Sequence, residues 1–365
     1  MAQIIKIAIT GGPCAGKTTA VKFLADKLKK YGIGVYTVEE QATKLMLEGK
    51  TPENMGIFEF HKLLFERSLA DEIQAEKRAE NDNHEKAVIL FDRGLLDCRA
   101  YISGEDFEKY ASLYNINEEI IRNRYDAVFH LVTAADGAED FYNKKTNIIR
   151  RENIEQAVLQ DRKTLAVWVG TTHLRIIDNS TDFENKLNRL LEEVLAVLGI
   201  PQPLEIEKKF LIEYPNLEFL NSLDTCRKIP ITQAYLTTPE EGNFRVRKRG
   251  HGKNALYIKT VKIKISDMKR IETETYISKD EYNSYISDKE HVTGIISKDR
   301  YCIAYESSYF ELDVYPFWND KATMEIELLK EDQKYKLPPF VKIIEDVTAK
   351  REYSNLILAQ KYGKL

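Results

Sequence analysis

The stretch "PLEIEKKFLI" (203–212) alternates charged and apolar side chains over most of its length. Successive side chains of an extended strand point to opposite faces, so Glu205, Glu207 and Lys209 would share one face. On a single strand, a charged face of this kind usually points to water. The interpretation therefore depends on whether later strands repeat the pattern.

The residues after 204 do repeat it. Several predicted strands carry a charged face of a single sign, made by Arg245, Arg247 and Arg249, by Glu272 and Glu274, by Glu311 and Asp313, and by Glu325 and Glu327. Paired glutamates on different strands repel each other unless a divalent cation or a cationic ligand lies between them. If the sheet closes into a barrel with this face inward, its interior becomes an ionic tunnel, whereas an open sheet would leave the charged face solvated.

The residue types on this face suit a polyphosphate with bound metal. Carboxylates are the hard oxygen ligands that Mg²⁺ and Mn²⁺ prefer, and the candidates are Glu205, Glu207, Glu272, Glu274, Asp313, Glu325 and Glu327. Arginines and lysines bind phosphate oxygens, and the candidates are Lys209, Arg245, Arg247, Arg249, Lys259, Lys298 and Arg300. Lys259 has the opposite parity to Lys262 and Lys264, and a β-bulge would reconcile the three.

Residues 1–200 have a different texture, in which short apolar segments alternate with amphipathic helical ones. The predicted strands are 4–10, 34–39, 87–92, 127–133 and 174–178, an order that indicates βαβ units around a parallel sheet. A helix predicted over 183–199 ends at Gly199, and the following "IPQP" (200–203) indicates a domain boundary. We therefore expect an α/β domain over 1–200 and a β-rich domain over 201–365.

The segment "GGPCAGKTT" (11–19) matches the pattern G-x-x-x-x-G-K-[ST] and lies between a predicted strand and a predicted helix. In that context the backbone N–H groups of a loop bind the phosphates of ATP or GTP. The candidate nucleotide-binding residues are Gly11, Gly12, Gly16, Lys17, Thr18 and Thr19. Thr18 would hold Mg²⁺ together with Asp92, which ends a later apolar strand and has a candidate catalytic role.

Other residues of this domain allow two interpretations each. Arg93 would contact a phosphate or an acceptor, or else form a surface ion pair with Asp92. Glu40 would orient or deprotonate an acceptor, or else stabilise a helix N-terminus. The residues Arg150, Arg151 and Arg162 would close over a triphosphate, or else lie on a solvated helix face. No guanine-reading N-K-x-D motif occurs, so the choice between ATP and GTP stays open.

Composition narrows the class of protein. The chain has 365 residues, a net charge of −4 and four scattered cysteines. A net charge of this sign gives no overall electrostatic attraction to nucleic acid. Cysteines without a paired spacing are typical of a reducing compartment. Since no run of about 18 apolar residues occurs, we expect a cytoplasmic protein without a transmembrane segment.

The phosphate-binding loop, "DRG" (92–94), "DAVFHLVTAADGAEDFY" (126–142) and "IDNS" (177–180) resemble the P-loop domain shared by nicotinamide riboside kinase-type proteins and the TRPL translocation defect family. The resemblance covers roughly residues 4–200. It implies that the nucleotide base lies near Asp178 and Asn179. Whether such a domain hydrolyses nucleotide or transfers phosphate to an acceptor stays open.

The signature "EIEKKF" (205–210), followed by "FRVRKR", "YIKT", "RIETE", "KDRY", "ELDVY" and "MEIEL", resembles the CYTH, or triphosphate tunnel metalloenzyme, superfamily. The resemblance covers about 204–350. It implies an antiparallel β-tunnel that hydrolyses tripolyphosphate, thiamine triphosphate or a nucleoside triphosphate, or that cyclises ATP. It further implies metal binding by Glu205, Glu207, Glu325 and Glu327 and phosphate binding by Lys209, Arg245, Arg247, Lys259 and Arg300.

A P-loop domain followed by such a tunnel also resembles the TRPL translocation defect family as a whole. That resemblance implies a nucleotide-regulated binding module whose tunnel takes phosphatidic acid, an anionic lipid headgroup or another phosphorylated ligand without turnover. The intact glutamate pairs favour metal-dependent hydrolysis. The sequence therefore predicts a triphosphatase first and a binding module second.

Overall fold

The computed structural model describes residues 3–82, 84–142, 153–201, 204–237, 243–288 and 290–363. These residues form two compact units, 1–191 and 192–365, which are considered separately below.

The first unit is a parallel sheet with helical connections. Its described strands are β1 (Gln3–Thr10), β2 (Gly34–Val38), β3 (Lys86–Asp92), β4 (Ala127–Leu131) and β5 (Leu174–Ile177). Its described helices are α1 (Lys17–Leu28), α2 (Gln41–Leu47), α3 (Pro52–Met55), α4 (Ile57–Glu80), α5 (Gly104–Ser112), α6 (Glu118–Arg122), α7 (Ile154–Trp168) and α8 (Phe183–Val197), which spans the division between the units.

The strands lie side by side in the order β2-β3-β1-β4-β5, and the pairs are parallel. Nearly every residue of β3 and β4 is buried, as expected for strands covered on both faces. The predicted α/β architecture with a parallel sheet is therefore confirmed. Because ligands of such sheets bind beyond the carboxyl ends of the strands, the ends of β1, β3 and β4 define the place of the site.

Glycines determine where helix α1 begins and where its extension ends. Gly16 precedes the helix in a left-handed conformation with φ 85°. After Leu28 the chain continues as a short 3₁₀ turn to Tyr31, and Gly32 stops it with φ 72°. Only glycine adopts these angles without cost, so the sequence places both turns.

The second unit is built almost entirely of antiparallel strands. Its described strands are β6 (Leu204–Glu213), β7 (Cys226–Leu236), β8 (Asn243–Arg249), β9 (Leu256–Lys264), β10 (Lys269–Tyr276), β11 (Val292–Tyr305), β12 (Ser308–Val314), β13 (Lys321–Leu328) and β14 (Ile343–Asp346). Its described helices are α9 (Leu217–Ser222), α10 (Lys279–Ser287) and α11 (Asn355–Tyr362).

These strands close into a barrel. The order is β10-β9-β8-β7-β11-β12-β13-β6, and β10 also pairs with β6 through Arg270 and Glu205, while β14 extends the sheet beside β6. The predicted antiparallel β-tunnel is therefore confirmed. Strand β7 was not predicted, because its first residues are polar and Pro230 lies in its middle, a position where proline usually argues against a strand.

The apolar faces of the strands form the outer core of the barrel. One buried cluster includes Phe210, Ile303, Phe310 and Met324, and burying each such side chain stabilises the fold by about 1.5–3 kcal/mol. A register slip of one residue would turn this apolar set toward the barrel interior and move the charges into the outer core. The outer core therefore forces the opposite, charged face of each strand into the barrel.

Helix α11 covers one end of the barrel. Its residues Leu358 and Ala359 form a buried cluster with Tyr235, Ile296 and Tyr315. The helix approaches β11 so closely that a Cβ atom on Gly294 would lie 2.8 Å from the backbone of Ala359. This end of the barrel interior is consequently more deeply buried than the end near Glu205.

Candidate functional site

The predicted phosphate-binding loop joins β1 to α1 at the carboxyl edge of the sheet. Lys17 is buried, and its Nζ donates hydrogen bonds to the carbonyl oxygens of Gly11 (3.0 Å) and Gly12 (2.7 Å). A Cβ atom on Gly11 would lie 2.1 Å from the carbonyl oxygen of Leu131, so only glycine fits there. The close approach of the loop backbone to the end of β4 therefore depends on glycine at position 11.

Thr18 and Asp92 meet at this edge as the sequence predicts. The Thr18 hydroxyl donates a hydrogen bond to Asp92 Oδ2 at 2.6 Å. The other carboxylate oxygen, Asp92 Oδ1, is buried and has no hydrogen-bond partner among the described residues. Burial raises the pKa of Asp92, and the nearby charge of Glu40 adds to this effect. A hydroxyl beside an unsatisfied carboxylate oxygen fits Mg²⁺, so these two residues would hold the ion there.

Arg93 lies beside this pair with a strained backbone, at φ 77°. Its guanidinium forms ion pairs with Glu40 and with Asp97, the latter at 3.4 Å. Although burial acts in the opposite direction, the charges of Arg93 and Lys17 lower the pKa of Glu40 to about 2. Such a carboxylate is a weak base, so the geometry favours Glu40 as an anchor for Arg93. The surface pair of Arg93 with Asp92 is not what the structure shows.

Two buried carboxylates of this region were not singled out in the sequence. Asp97 accepts hydrogen bonds from Thr10 Oγ1 at 2.5 Å and from Trp168 Nε1 at 2.6 Å. Asp161, on α7, accepts one from the backbone N–H of Gly12 at 2.6 Å. No local motif marks either residue, because their partners lie far away in the sequence.

Asp161 ties the phosphate-binding loop to the end of β4. The same oxygen that binds Gly12 also accepts the N–H of Thr133 at 3.2 Å, and the other oxygen lies 3.1 Å from His130 Nε2. Burial works against ionisation, yet the neighbouring His130 helps to lower the pKa of Asp161. The carboxylate therefore stays charged and holds three groups at once.

We expect Asp161→Ala to reduce the free energy of unfolding by about 2–3 kcal/mol, because two buried backbone N–H groups lose their acceptor. Arg162→Ala, on the neighbouring exposed position of α7, should leave stability unchanged. Urea titrations followed by circular dichroism measure both variants. Equal midpoints for Asp161→Ala and the wild type would contradict this assignment.

The ionisation of Lys17 makes nucleotide binding depend on pH. Burial and the nearby charge of Arg93 lower the pKa of Lys17 to about 8. The ammonium attracts phosphate and the neutral amine does not, so affinity should be constant below pH 8 and fall about tenfold per pH unit above it. Lys17→Arg stays charged and should remove this dependence. Dissociation constants of a fluorescent nucleotide between pH 7 and 9.5 test the expectation.

The residues predicted to lie near the base have local partners. Asp178 pairs with Arg189 at 2.8 Å. Asn179 Nδ2 donates to the carbonyl oxygens of Thr133 (2.8 Å) and Asp136 (2.7 Å) and thereby holds the loop after β4. The proposed base contact of Asp178 and Asn179 stays a prediction. Arg162 is exposed on α7, and Arg150 and Arg151 lie outside the described residues.

In the second unit, the strand registers bring the predicted charged residues other than Lys259 onto one inner face. Residues paired across antiparallel strands point the same way, and Glu325 pairs with Lys209, Glu327 with Glu207, Glu311 with Glu325 and Arg300 with Asp313. Across β7, Arg249, Arg247 and Arg245 pair with Ile231, Gln233 and Tyr235. The inner face also holds Lys298, Lys262, Arg270, Glu272 and Glu274.

The deepest ionic cluster centres on Arg300. Its guanidinium binds both oxygens of Asp313 at 2.7 Å, Glu325 at 3.1 Å, and Glu311. Lys209 Nζ donates to Glu325 at 2.7 Å. Against the effect of burial, Lys209 and Arg300 hold the pKa of Glu325 well below its usual range. Arg300 and Lys209 thus both contact carboxylates, and the phosphate contacts predicted for them stay predictions.

Lys298 lies in the same deep region and also has protein partners. Its Nζ forms an ion pair with Asp313 and lies 3.2 Å from Asn355 Oδ1, at the start of α11. The phosphate contact predicted for Lys298 stays a prediction.

A second ionic cluster lies nearer the less buried end. Lys262 Nζ binds Glu205 and Glu272, and Arg245 binds Glu272 at 3.2 Å and approaches Glu274 at 3.7 Å. Burial raises the pKa of Glu205 well above its usual range, and the charges of Glu272 and Glu207 act in the same direction. Crowded carboxylates of this kind attract additional cations.

The prediction that Lys259 lies on the inner, charged face is wrong. Lys259 pairs with Val246 and Thr275, so its side chain lies on the outer face of the barrel. There its ammonium lies 5.3 Å from the centre of the Phe244 ring. The registers of β9 with its two neighbours are continuous, so no bulge moves Lys259 inward, and Lys262 takes the inner position.

Two arginines of β8 have donor groups aimed at no acceptor. Among the described residues, the Nε groups of Arg245 and Arg247 are buried without a hydrogen-bond partner. Arg247 Nη1 lies 3.9 Å from Glu274 Oε1, beyond hydrogen-bond distance. An unsatisfied buried donor costs about 1–3 kcal/mol, so these groups favour an anionic ligand inside the barrel.

The barrel offers suitable metal ligands but no preformed metal centre. Within the ranges that the structure describes, no three His, Cys, Asp or Glu side chains are arranged to hold a metal ion. The donor chemistry still fits, because Glu205, Glu207 and Glu272 are crowded hard-oxygen ligands. The ammonium of Lys262 lies between Glu205 and Glu272.

The fold and these sites define a P-loop domain followed by an ionic β-tunnel. Residues 6–186 match the family model described as "AAA domain", and residues 203–355 match the one described as "CYTH domain". The two matches find a P-loop-type domain followed by a CYTH domain, which is the combination that the sequence resembles. A comparison with curated proteins found no match.

Solved structures also resemble parts of this chain. A crystal structure of an inorganic triphosphatase is 28% identical, over 44% of this chain and 97% of that chain, with a TM-score of 0.30. A Pyrococcus horikoshii protein is 19% identical, over 35% and 80%, with a TM-score of 0.27. A Hippeastrum protein is described as an adenylyl cyclase candidate with dominant triphosphatase activity. It is 17% identical over 34% of this chain and 80% of that chain, with a TM-score of 0.25.

Among the helices of the described residues, none combines the length and the apolar character that crossing a membrane requires.

Proposed function

We propose that the C-terminal barrel hydrolyses a triphosphate with the help of Mg²⁺ or Mn²⁺, and that the N-terminal P-loop binds ATP or GTP. The observation that carries this proposal is the pair of buried guanidinium donors, Arg245 and Arg247, which face a barrel interior lined with carboxylates. Tripolyphosphate, thiamine triphosphate and nucleoside triphosphates all present the oxygens that such donors bind.

Charge balance supports metal dependence. The inner face carries the carboxylates Glu205, Glu207, Glu272, Glu274, Glu311, Asp313, Glu325 and Glu327 among the cations Lys209, Arg245, Arg247, Arg249, Lys262, Arg270, Lys298 and Arg300, and the registers give Arg227 and Lys264 the same parity. The carboxylates therefore offset much of the attraction that these cations would exert on a triphosphate. Divalent cations that enter with the substrate would neutralise it.

The charged residues of the inner face have different proposed roles according to their position in the barrel. Arg245, Arg247 and Arg249 would bind and align the phosphate chain, since bidentate guanidinium contacts fix orientation. Glu205, Glu207, Glu325 and Glu327 would hold the metal, which when bound polarises the scissile phosphoryl group. Lys209 and Arg300 keep Glu325 ionised and in place. In this scheme the deep cluster positions the carboxylates and the arginines of β8 hold the substrate.

The P-loop would act independently of the tunnel. Lys17 and the loop N–H groups would bind nucleotide phosphates, and Thr18 and Asp92 would hold Mg²⁺. Arg93, fixed by Glu40 and Asp97, is poised to contact a phosphate or an acceptor. Four cysteines without disulfides support a cytoplasmic location for such a protein.

Phosphate release by the full-length chain tests this function. Tripolyphosphate, thiamine triphosphate, ATP and GTP are each supplied with Mg²⁺ or Mn²⁺, and tripolyphosphate reports on the tunnel without a nucleoside. Turnover that vanishes with chelator supports the proposal, and the best substrate names the reaction. Pyrophosphate and cyclic AMP as products would show a cyclase. Saturable binding of phosphatidic acid vesicles without any turnover would show a binding module and overturn the proposal.

A further inference from the structure

Lys262 occupies a distinctive position in the barrel. Its Nζ lies 2.8 and 2.7 Å from the two carboxylate oxygens of Glu205, and 2.7 Å from an oxygen of Glu272. The three side chains are only 13–15% exposed. The Lys262 ammonium therefore contacts both Glu205, the first glutamate of the "EIEKKF" signature, and Glu272 on another strand.

Barrel closure creates this arrangement. Lys262 and Glu272 are register partners on β9 and β10. Glu205 reaches them only because β10 pairs with β6, with Arg270 opposite Glu205. Residues 205 and 262 are far apart in the chain, so nothing local holds them together. The contact is a property of the closed barrel.

A divalent ion and this ammonium compete for the same oxygens. Lys262 covers both oxygens of Glu205, and a metal at that carboxylate would lie close to a positive charge. Like charges at such a distance in a buried site repel strongly. Metal binding to Glu205 therefore requires Lys262 to turn away.

We propose that Lys262 is a counter-cation that competes with the metal for Glu205 and leaves this carboxylate when a metal–triphosphate complex enters. This inference rests on the proposed function of the tunnel and specifies how that site is regulated. The displaced ammonium binds a phosphate oxygen of the incoming substrate, which replaces its lost partner. Metal and triphosphate consequently bind cooperatively, and each raises the affinity for the other by the same factor.

The test measures Mn²⁺ binding to the full-length chain by the electron paramagnetic resonance signal of free Mn²⁺. Lys262→Met removes the competing charge and should bind Mn²⁺ about tenfold more tightly than the wild type without substrate. Lys262→Gln keeps a donor for Glu205 and should behave likewise, which covers any failure of the Met variant to fold. The P-loop contributes equally to all proteins, so differences report on the tunnel.

Lys264→Met is the matched control. Lys264 lies on the same strand and has the same parity, but it is exposed and pairs with Asp267 at 2.7 Å. Its Mn²⁺ affinity should equal that of the wild type. Adding the methylene analogue of tripolyphosphate should tighten Mn²⁺ binding more in the wild type than in the Lys262 variants.

Unchanged or weaker Mn²⁺ binding in both Lys262 variants would overturn the inference, as would the absence of Mn²⁺ binding in every protein. Failure of the proposed function has a separate signature, since the wild type would then release no phosphate from any triphosphate. If the wild type turns over substrate while the Lys262 variants bind Mn²⁺ as it does, the inference alone is wrong.

Discussion

The double substitution Glu205→Gln and Glu207→Gln is expected to reduce metal-dependent phosphate release from a triphosphate by about 10³-fold. Both carboxylates lie on the inner face of β6, and Glu207 faces Glu327 across the strand pair. Losing two anionic ligands would remove the metal and the several kcal/mol of charge stabilisation it supplies, about 1.4 kcal/mol per factor of ten. Initial rates with tripolyphosphate and Mn²⁺ measure the effect.

Two comparisons isolate the cause. Glu213→Gln, an exposed position on the same strand that pairs with Lys342, should retain wild-type turnover. Nucleotide binding at the P-loop should be unchanged in the double variant, which shows that the first unit is folded. Wild-type turnover in the double variant would rule out the tunnel as the catalytic site.

Lys17→Ala is expected to weaken nucleotide binding at the P-loop by about 30–100-fold, while hydrolysis of tripolyphosphate continues at the wild-type rate. The variant loses a charge-assisted hydrogen bond to phosphate, worth about 2–3 kcal/mol. It also loses the bonds from Nζ to the carbonyl oxygens of Gly11 and Gly12, which shape the loop. Equilibrium binding of labelled ATP and GTP, measured beside phosphate release, checks both halves of the expectation.

Lys22→Ala provides the control, because Lys22 is exposed on the same helix. It should bind nucleotide like the wild type. Joint loss of nucleotide binding and tripolyphosphate hydrolysis in a folded Lys17→Ala protein would show that the two sites are coupled. Unaltered nucleotide affinity would instead mean that the loop is not the nucleotide site.

The sequence predicted much of the fold because its signals are local. A glycine-rich loop between a strand and a helix specifies its own conformation, and Gly16 and Gly32 indeed take left-handed angles. The alternation in β6, β8, β12 and β13 likewise predicted which residues share a face, since strand parity needs only the neighbouring residues. Thr18 and Asp92 were brought together as expected, by the topology that βαβ order implies.

Other features depended on partners that are distant along the chain. The sequence placed Lys259 on the charged face, but continuous registers across β8, β9 and β10 give that position to Lys262. The sequence likewise did not show that Asp313 and Glu325 contact Arg300 and Lys209 in the folded barrel. Parity alone cannot tell which cation will meet which carboxylate.

By itself, then, the sequence determined the two-domain architecture, the phosphate-binding loop and the ionic character of the tunnel, because each follows from local spacing and strand periodicity. Only the tertiary structure decided that Asp161 supports Gly12, that β7 with its central Pro230 completes the barrel, and that Lys262 covers Glu205. These contacts arise when the strands close and the loops pack. No short segment of the chain contains both partners of any of them.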